Sequence, residues 1–344
     1  MAMFDLPLAE LEAYRPEIER PDDLVEFWQR TLAESRAHEL ELSAELVDNK
    51  LALIDTYDVG YSGFGGTSVR AWLHVPAGAS GPLPTVVQYR GYSRGRGFPH
   101  SNTEFAQAGW ATLVMDTRGQ GWREGGPAGS DDRSIDGGVS QSPGFMTGGI
   151  LRPEDYYYRR VYVDALRLVE CLAFLPQVDP SRVVLTGGSQ GGGITIATAG
   201  LAVLPGAELA GVRLLGAAPD VPFLCHFRRA VELTDSHPYR EIALYLAGWR
   251  DHADAAYRTL SYHDGVNLGR LASCPALFSV ALMDLTCPPS TVYAAYNAWG
   301  EAAPGGLPAK EIAVYPHNDH EGGEAYQYDR QLDWFGALFA AAVD

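Results

Sequence analysis

The stretch Arg182-Val183-Val184-Leu185-Thr186-Gly187-Gly188-Ser189-Gln190-Gly191-Gly192-Gly193 decides the fold of this 344-residue chain. Its apolar start reads as a strand that passes without a linker into Gly-x-Ser-x-Gly, and residues 190–201 read as the helix that follows. Such a turn holds its serine in a strained backbone conformation, and glycine on both sides lets strand and helix approach closely enough to form it. The serine hydroxyl then stands beside the positive end of a helix. A glycine-rich strand-to-helix turn can also cradle phosphate or simply pack closely. A nucleophile reading therefore requires a base, an acid and an oxyanion site elsewhere in the chain.

Outward from this turn, short apolar runs at 84–89, 111–115, 212–217, 276–282 and 312–315 read as strands covered on both faces. Two further runs, 51–59 and 68–75, flank Tyr61-Ser62-Gly63-Phe64-Gly65-Gly66, which has the glycine content of a hairpin connection. Helical spacing marks 21–37 (Leu24, Phe27, Trp28, Leu32), 98–108, 156–175 and 326–343. The glycine-rich, non-periodic segment 117–150 is a candidate wall of an active site. Together these elements predict one α/β domain over 1–344. Its sheet is eight-stranded and mostly parallel, with helices on both faces, a helical N-terminal extension (1–50) and a helical insertion (221–265) before the seventh strand. Ligands of such sheets bind beyond the carboxyl ends of the strands.

With 46% hydrophobic residues the chain can bury a large core. Its formal charge of −17 opposes phosphate backbones and anionic membrane surfaces, so neither nucleic acid nor a membrane is expected as a partner. The first twenty residues lack the features of a secretory signal, and no apolar run approaches the ~18 residues of a membrane span. A cytoplasmic location is the expectation. Cys171, Cys225, Cys274 and Cys287 form no Cys-x-x-Cys pair and are expected as free, mostly buried thiols.

A serine needs a base within hydrogen-bond reach and a carboxylate to orient it, and in α/β-hydrolases these follow in the order Ser, acid, His. Asp284 follows the run 276–282 and His320 follows 312–315, so both project from the sheet edge that carries Ser189. Asp220, after the run 212–217, is a rival acid, and His317 is a rival base. His317, His320 and Glu321 lack the helical His-Glu-x-x-His pattern of a metal site, and no metal is expected. The backbone N–H of Gln190, directly after the serine, and that of Tyr92, in Arg90-Gly91-Tyr92, are the expected oxyanion donors. Trp122, Phe223 and Pro238 are candidates to shape the pocket, with core or lid packing as their alternative role.

Arg118-Gly119-Gln120, Gly187-Gly188-Ser189-Gln190-Gly191 and His320-Glu321 resemble the signature set of carbohydrate esterase family 7, the acetyl xylan esterases and cephalosporin C deacetylases. The likeness extends to Asp5-Leu6-Pro7-Leu8, Tyr156-Tyr157-Tyr158-Arg159, and Asp284 with Cys287-Pro288-Pro289-Ser290-Thr291-Val292. It implies an α/β-hydrolase fold, a Ser189–Asp284–His320 triad, oxyanion donors at Tyr92 and Gln190, no cofactor, small acetyl esters as substrates and a homohexamer. It also gives Arg118, Gln120 and Glu321 supporting roles, with Arg118 anchoring the His320 loop through Glu321. Family members commonly carry His-Gly-Tyr where this chain has Arg90-Gly91-Tyr92. Two alternatives are a peptidase of the prolyl-oligopeptidase type and a binding protein that has kept the fold without the chemistry.

Overall fold

The computed structural model describes residues 3–123, 129–132, 144–207, 209 and 211–342. Among these the chain builds one sheet from β1 (Ser43–Val47), β2 (Ile54–Ser62), β3 (Ser68–Pro76), β4 (Leu83–Tyr89), β5 (Ala111–Met115), β6 (Val178–Gly188), β7 (Leu214–Asp220), β8 (Ala276–Ala281) and β9 (Lys310–Tyr315). Their order is β1-β2-β3-β5-β4-β6-β7-β8-β9, with β1 to β3 antiparallel and β5, β4, β6, β7, β8 and β9 parallel. The sheet therefore has nine strands rather than the expected eight. The added strand, β1, is exposed along nearly its whole length and is held by its backbone ladder to β2, so no buried apolar alternation marks it in the sequence.

Helices α1 (Leu8–Glu12), α2 (Leu24–Arg36), α3 (Glu104–Gln107), α4 (Tyr157–Cys171), α5 (Gln190–Leu201), α6 (Phe227–Leu233), α7 (Tyr239–Gly248), α8 (Ala253–Ser261), α9 (Gly265–Gly269), α10 (Pro289–Ala298) and α11 (Glu324–Ala341) complete the order. The helix expected over 98–108 shrinks to the four residues of α3, because Asn102 takes a left-handed φ of 58° and interrupts it. Helix α10 escapes the periodicity reading. It opens on Pro289, a residue suited to the first helical turn, and the Asp5 carboxylate accepts the Ser290 N–H at 2.7 Å. The insertion between β7 and β8 is helical as expected and carries α6 to α9.

Successive residues of the central strands alternate between two cores. Val87, Val183 and Leu185 face the large core that holds α2, α4 and α5, whereas Val86 and Val184 face a smaller one with Phe105, Phe335 and Phe339. Both faces are thus covered, which is why these strands read as continuous apolar runs.

The connections from β4 and β6 leave in opposite directions, β4 to β5 on one side and β6 to β7 on the other. A crevice opens between such strands at their carboxyl ends. Helix α5 lies against this point with its entire length buried. A Cβ on Gly191 would collide with the backbone oxygen of Tyr89, and one on Gly187 would stand 2.6 Å from the carbonyl carbon of Gly191. Gly191→Ala is therefore expected to destabilise the fold by about 1–3 kcal/mol through overpacking. Gly248→Ala, at a helical site with open space around it, should leave denaturant unfolding unchanged or slightly improved.

Candidate active site

Ser189 follows directly on β6 and adopts φ 57°, ψ −118°, a conformation that costs about 1–3 kcal/mol in a non-glycine residue. Backbone hydrogen bonds hold it there: its N–H donates to Asp220 O at 2.9 Å, and its carbonyl accepts from Gly193 N at 3.1 Å and Phe223 N at 2.9 Å. The hydroxyl is thereby lifted toward the loops that follow β8 and β9.

His320 Nε2 lies 2.9 Å from Ser189 Oγ, and His320 Nδ1 lies 2.9 Å from Asp284 Oδ2. A carboxylate only accepts, so Nδ1 carries the proton and Nε2 is left to accept from the serine hydroxyl. Asp284 is wholly buried, and its other oxygen accepts the N–H groups of Thr286 at 2.7 Å and Cys287 at 2.8 Å. The two loops are bonded to each other through Met283 N to Asn318 O at 3.1 Å and Leu285 N to Asp319 Oδ1 at 3.3 Å. Burial pulls the His320 pKa down, but the hydrogen bond and charge of Asp284, with Asp220 and Asp319 behind it, outweigh burial and leave it raised above 6.5.

Neither rival takes a place in the Ser189–His320–Asp284 chain. Asp220 accepts from the Ser279 hydroxyl, and burial pushes its carboxyl up to about 6. His317 is exposed. Cys287, buried and free like the other three cysteines, lies beside the triad: its Sγ and the donor atoms of Asp284 and His320 are within 4.8 Å of one another.

At the neighbouring strand end, Arg94 N donates to Gly91 O at 3.0 Å and Ser93 has φ 70°, which closes a turn with Tyr92 at its first central position. A turn of this kind does not use the N–H at that position. Gln190 is the first residue of α5, where an N–H has no intrahelical acceptor. Tyr89 pairs with Gly187, so both N–H groups belong to adjacent strand ends. Two glutamines stitch them together. Gln120 Nε2 donates to Gln190 Oε1 at 2.9 Å, Gln120 Oε1 accepts the Ser93 N–H at 2.7 Å, and Gln190 Nε2 donates to Arg90 O at 3.2 Å. Tyr158 OH also donates to Gln190 Oε1, at 2.9 Å.

Arg118 is placed differently from its expected role. It is 1% exposed and forks onto Asp164, with Nε to Oδ2 at 2.6 Å and Nη2 to Oδ1 at 2.7 Å, while Asp132 stands 3.4 Å away. Glu321 is a surface residue that accepts from Asn318 Nδ2 at 3.0 Å and Asp319 N at 3.2 Å within its own loop. The guanidinium therefore braces α4 and, through the Asp164 bond to Phe64 N at 2.8 Å, the hairpin turn, on the oxyanion side of the site. A buried cation pairs with buried carboxylates, and Glu321 is not one.

A cavity of about 570 Å³ opens over Ser189 and His320, lined also by Tyr92, Arg94, Trp122, His237, Pro238, Glu241 and Thr286. Trp122 and Pro238 thus face the pocket, and Phe223 is buried beneath Tyr92 with ring centroids 6.4 Å apart. Of the candidate wall 117–150, residues 124–128 and 133–143 lie outside the described residues; Trp122 and Arg123 do line the cavity. Asp164 and Glu241 were missed by sequence reasoning. Each sits in a helix where an acidic residue at that spacing reads as ordinary surface, and no local signal separates them.

The family model for acetyl xylan esterase (AXE1) matches residues 1–338. The chain belongs to the acetyl xylan esterase family. The solved acetyl xylan esterase from Paenibacillus sp. R4 is 37% identical over 96% of this chain and 99% of its own, with a TM-score of 0.84. Acetyl xylan esterase 1 from Thermoanaerobacterium sp. JW/SL YS485 is 27% identical over 98% and 100%, with a TM-score of 0.83. Acetyl esterase Axe7A of Xylanibacter ruminicola is 26% identical and aligns with 93% of this chain and 68% of its own. Acetyl xylan esterases are carboxylic ester hydrolases, and the large, mostly parallel sheet is the α/β-hydrolase architecture of these structures. No helix among the described residues is long and apolar enough to cross a membrane.

In this acetyl xylan esterase family member, Arg118→Met leaves Asp164 charged and buried without its partner, and a loss of about 3–5 kcal/mol is expected in urea unfolding. Glu321→Ala, at an exposed site, should leave the urea midpoint at that of the parent. The reverse ranking would restore the Arg118–Glu321 anchor.

Proposed function

We propose that the protein removes O-acetyl groups from acetylated xylooligosaccharides and related small acetyl esters, cephalosporin C among them, through an acetyl-serine intermediate. The continuous hydrogen-bonded path from Ser189 through His320 to Asp284 carries this reading. His320 Nε2 takes the Ser189 proton as Oγ attacks the acetyl carbonyl, and Asp284 stabilises the imidazolium that forms. The tetrahedral oxyanion is received by the N–H groups of Tyr92 and Gln190, each worth roughly 10²–10³ in turnover. Collapse expels the sugar or cephem alcohol, which takes its proton from His320. Water then attacks the acetyl-enzyme with His320 again as base, and acetate leaves with Ser189 restored. Every step uses groups of the chain and water.

Family resemblance supports two further parts of the proposal: a preference for short acyl chains and a homohexameric assembly. Sedimentation velocity tests the assembly directly.

Acetate release from acetylated xylooligosaccharides and cephalosporin C is the deciding measurement. Ser189→Ala should lower it by ~10⁴–10⁶. Faster cleavage of octanoyl than acetyl esters would replace the proposal with a lipase-like enzyme, and cleavage of peptide anilides in preference to esters would replace it with a peptidase. The pH profile supplies a second check. His320 must be neutral to accept a proton, so kcat/KM falls as pH drops through its raised pKa, and the acid limb should have its midpoint above 6.5. An Asp284→Asn variant whose limb stays at the parent position would show that the carboxylate does not tune the base.

A further inference from the structure

Glu241 puts a carboxylate into the wall of the cavity that holds Ser189 and His320, although it is only 9% exposed. Negative charge there opposes an oxyanion developing nearby, and a buried carboxylate is costly unless its oxygens find donors. Both oxygens do, and both donors lie outside the helix that carries Glu241. Oε1 accepts the Tyr92 hydroxyl at 2.8 Å, and Oε2 accepts the Met146 N–H at 3.2 Å. The Tyr92 oxygen in turn accepts from Phe145 N at 3.3 Å and Gly144 N at 3.4 Å. One hub thus joins the turn after β4, helix α7 of the insertion and residues 144–146.

The Tyr92 ring between hub and backbone is itself confined. Trp122 and Phe145 meet it edge-on at 6.1 Å and Phe223 at 6.4 Å between centroids. With ring and hydroxyl fixed, the remaining freedom of Tyr92 lies in its backbone, which the Gly91–Arg94 turn and the Gln120 bond to Ser93 restrict from the other side.

We infer that Glu241 is a positioning residue that holds the Tyr92 N–H on the oxyanion by anchoring the Tyr92 hydroxyl, and so couples the insertion that walls the pocket to the rate of acyl transfer. The inference rests on the serine esterase reading. Glu241 itself touches no reacting atom. Its contribution is geometric, and a displacement on the order of 1 Å at such a donor can cost roughly 10²-fold in rate.

Steady-state hydrolysis of 4-nitrophenyl acetate by Glu241→Ala, Glu241→Gln, Tyr92→Phe and the double variant Tyr92→Phe/Glu241→Ala tests it. Glu241→Ala and Tyr92→Phe should each lower kcat by about tenfold or more while KM stays within about threefold of the parent. The double variant should be no slower than the slower single one, because both remove the same bond. Glu241→Gln keeps an oxygen for the phenol and should recover most of the lost kcat. Parent-like kcat in either single variant, losses that multiply in the double variant, or a raised KM at unchanged kcat would each overturn the inference. If Glu241→Ala does not fold, Tyr92→Phe and Glu241→Gln decide it. The parent enzyme and Ser189→Ala, assayed alongside, report separately on the serine chemistry.

Discussion

Helix α5 can come as close to the end of β4 as it does only because Gly191 has no side chain to meet the Tyr89 carbonyl. The rest of the site depends on this approach. It sets the N-terminus of α5 beside the turn that follows β4, so the two proposed oxyanion donors come from adjacent strand ends. It also forces the chain to leave β6 through a conformation that projects Ser189 out of the sheet. The strain of that conformation is offset by three backbone hydrogen bonds and by the full burial of α5. Apolar packing brings helix and strand together, and the Gln120–Gln190 amide pair then fixes their lateral register, which packing alone leaves loose.

Charge is sorted around the serine in the pattern that the proposed acyl transfer requires. Around His320, where an imidazolium forms, the structure gathers Asp284, Asp220 and Asp319. On the opposite side, where the proposed oxyanion would form, the buried carboxylates Asp164 and Asp132 are each paired with arginine, through Arg118 and Arg160. The positive end of α5 lies on that side. Glu241 is the exception, and both of its oxygens are occupied by donors. The net charge of −17 therefore says little about the site, whose local field has a direction that composition does not contain.

What the sequence revealed follows the same physics. Strands β4 to β8 were legible because burial on both faces writes continuous apolar runs, and the serine turn because its glycines are demanded by backbone contact. The order of Ser189, Asp284 and His320 was legible because each follows a strand that could be seen. Strand β1 was not, because a backbone ladder at an exposed edge places no demand on side chains. The Arg118 partner was misassigned for a related reason. Arg-Gly-Gln and His-Glu are conspicuous as motifs, yet pairing of a buried guanidinium is decided by which carboxylates the fold buries beside it. Asp164 belongs to a tyrosine-rich helix that advertises packing rather than charge. Hydrogen-bond hubs such as Tyr92–Glu241 join residues 149 apart in sequence, and no periodicity records them.

The N-terminal extension shows how far such remote constraints reach toward the chemistry. The Asp5 carboxylate takes the Ser290 N–H at the start of α10 with one oxygen and Arg229 of the insertion with the other, at 3.0 Å. Helix α10 begins two residues after Cys287, whose N–H, together with that of Thr286, fixes the Asp284 carboxylate. The acid loop is consequently held at both ends: by β8 before it, and by an α10 whose first turn is pinned by a residue almost at the beginning of the chain. Asp284 orients His320 only while its own rotamer is fixed, and both carboxylates, Asp5 and Asp284, are held by backbone N–H groups of the one short segment Thr286–Ser290. Stability and reactivity are accordingly close neighbours in this fold, since the bond that closes the extension onto α10 at Ser290 lies three residues along the chain from the Cys287 N–H that holds the acid.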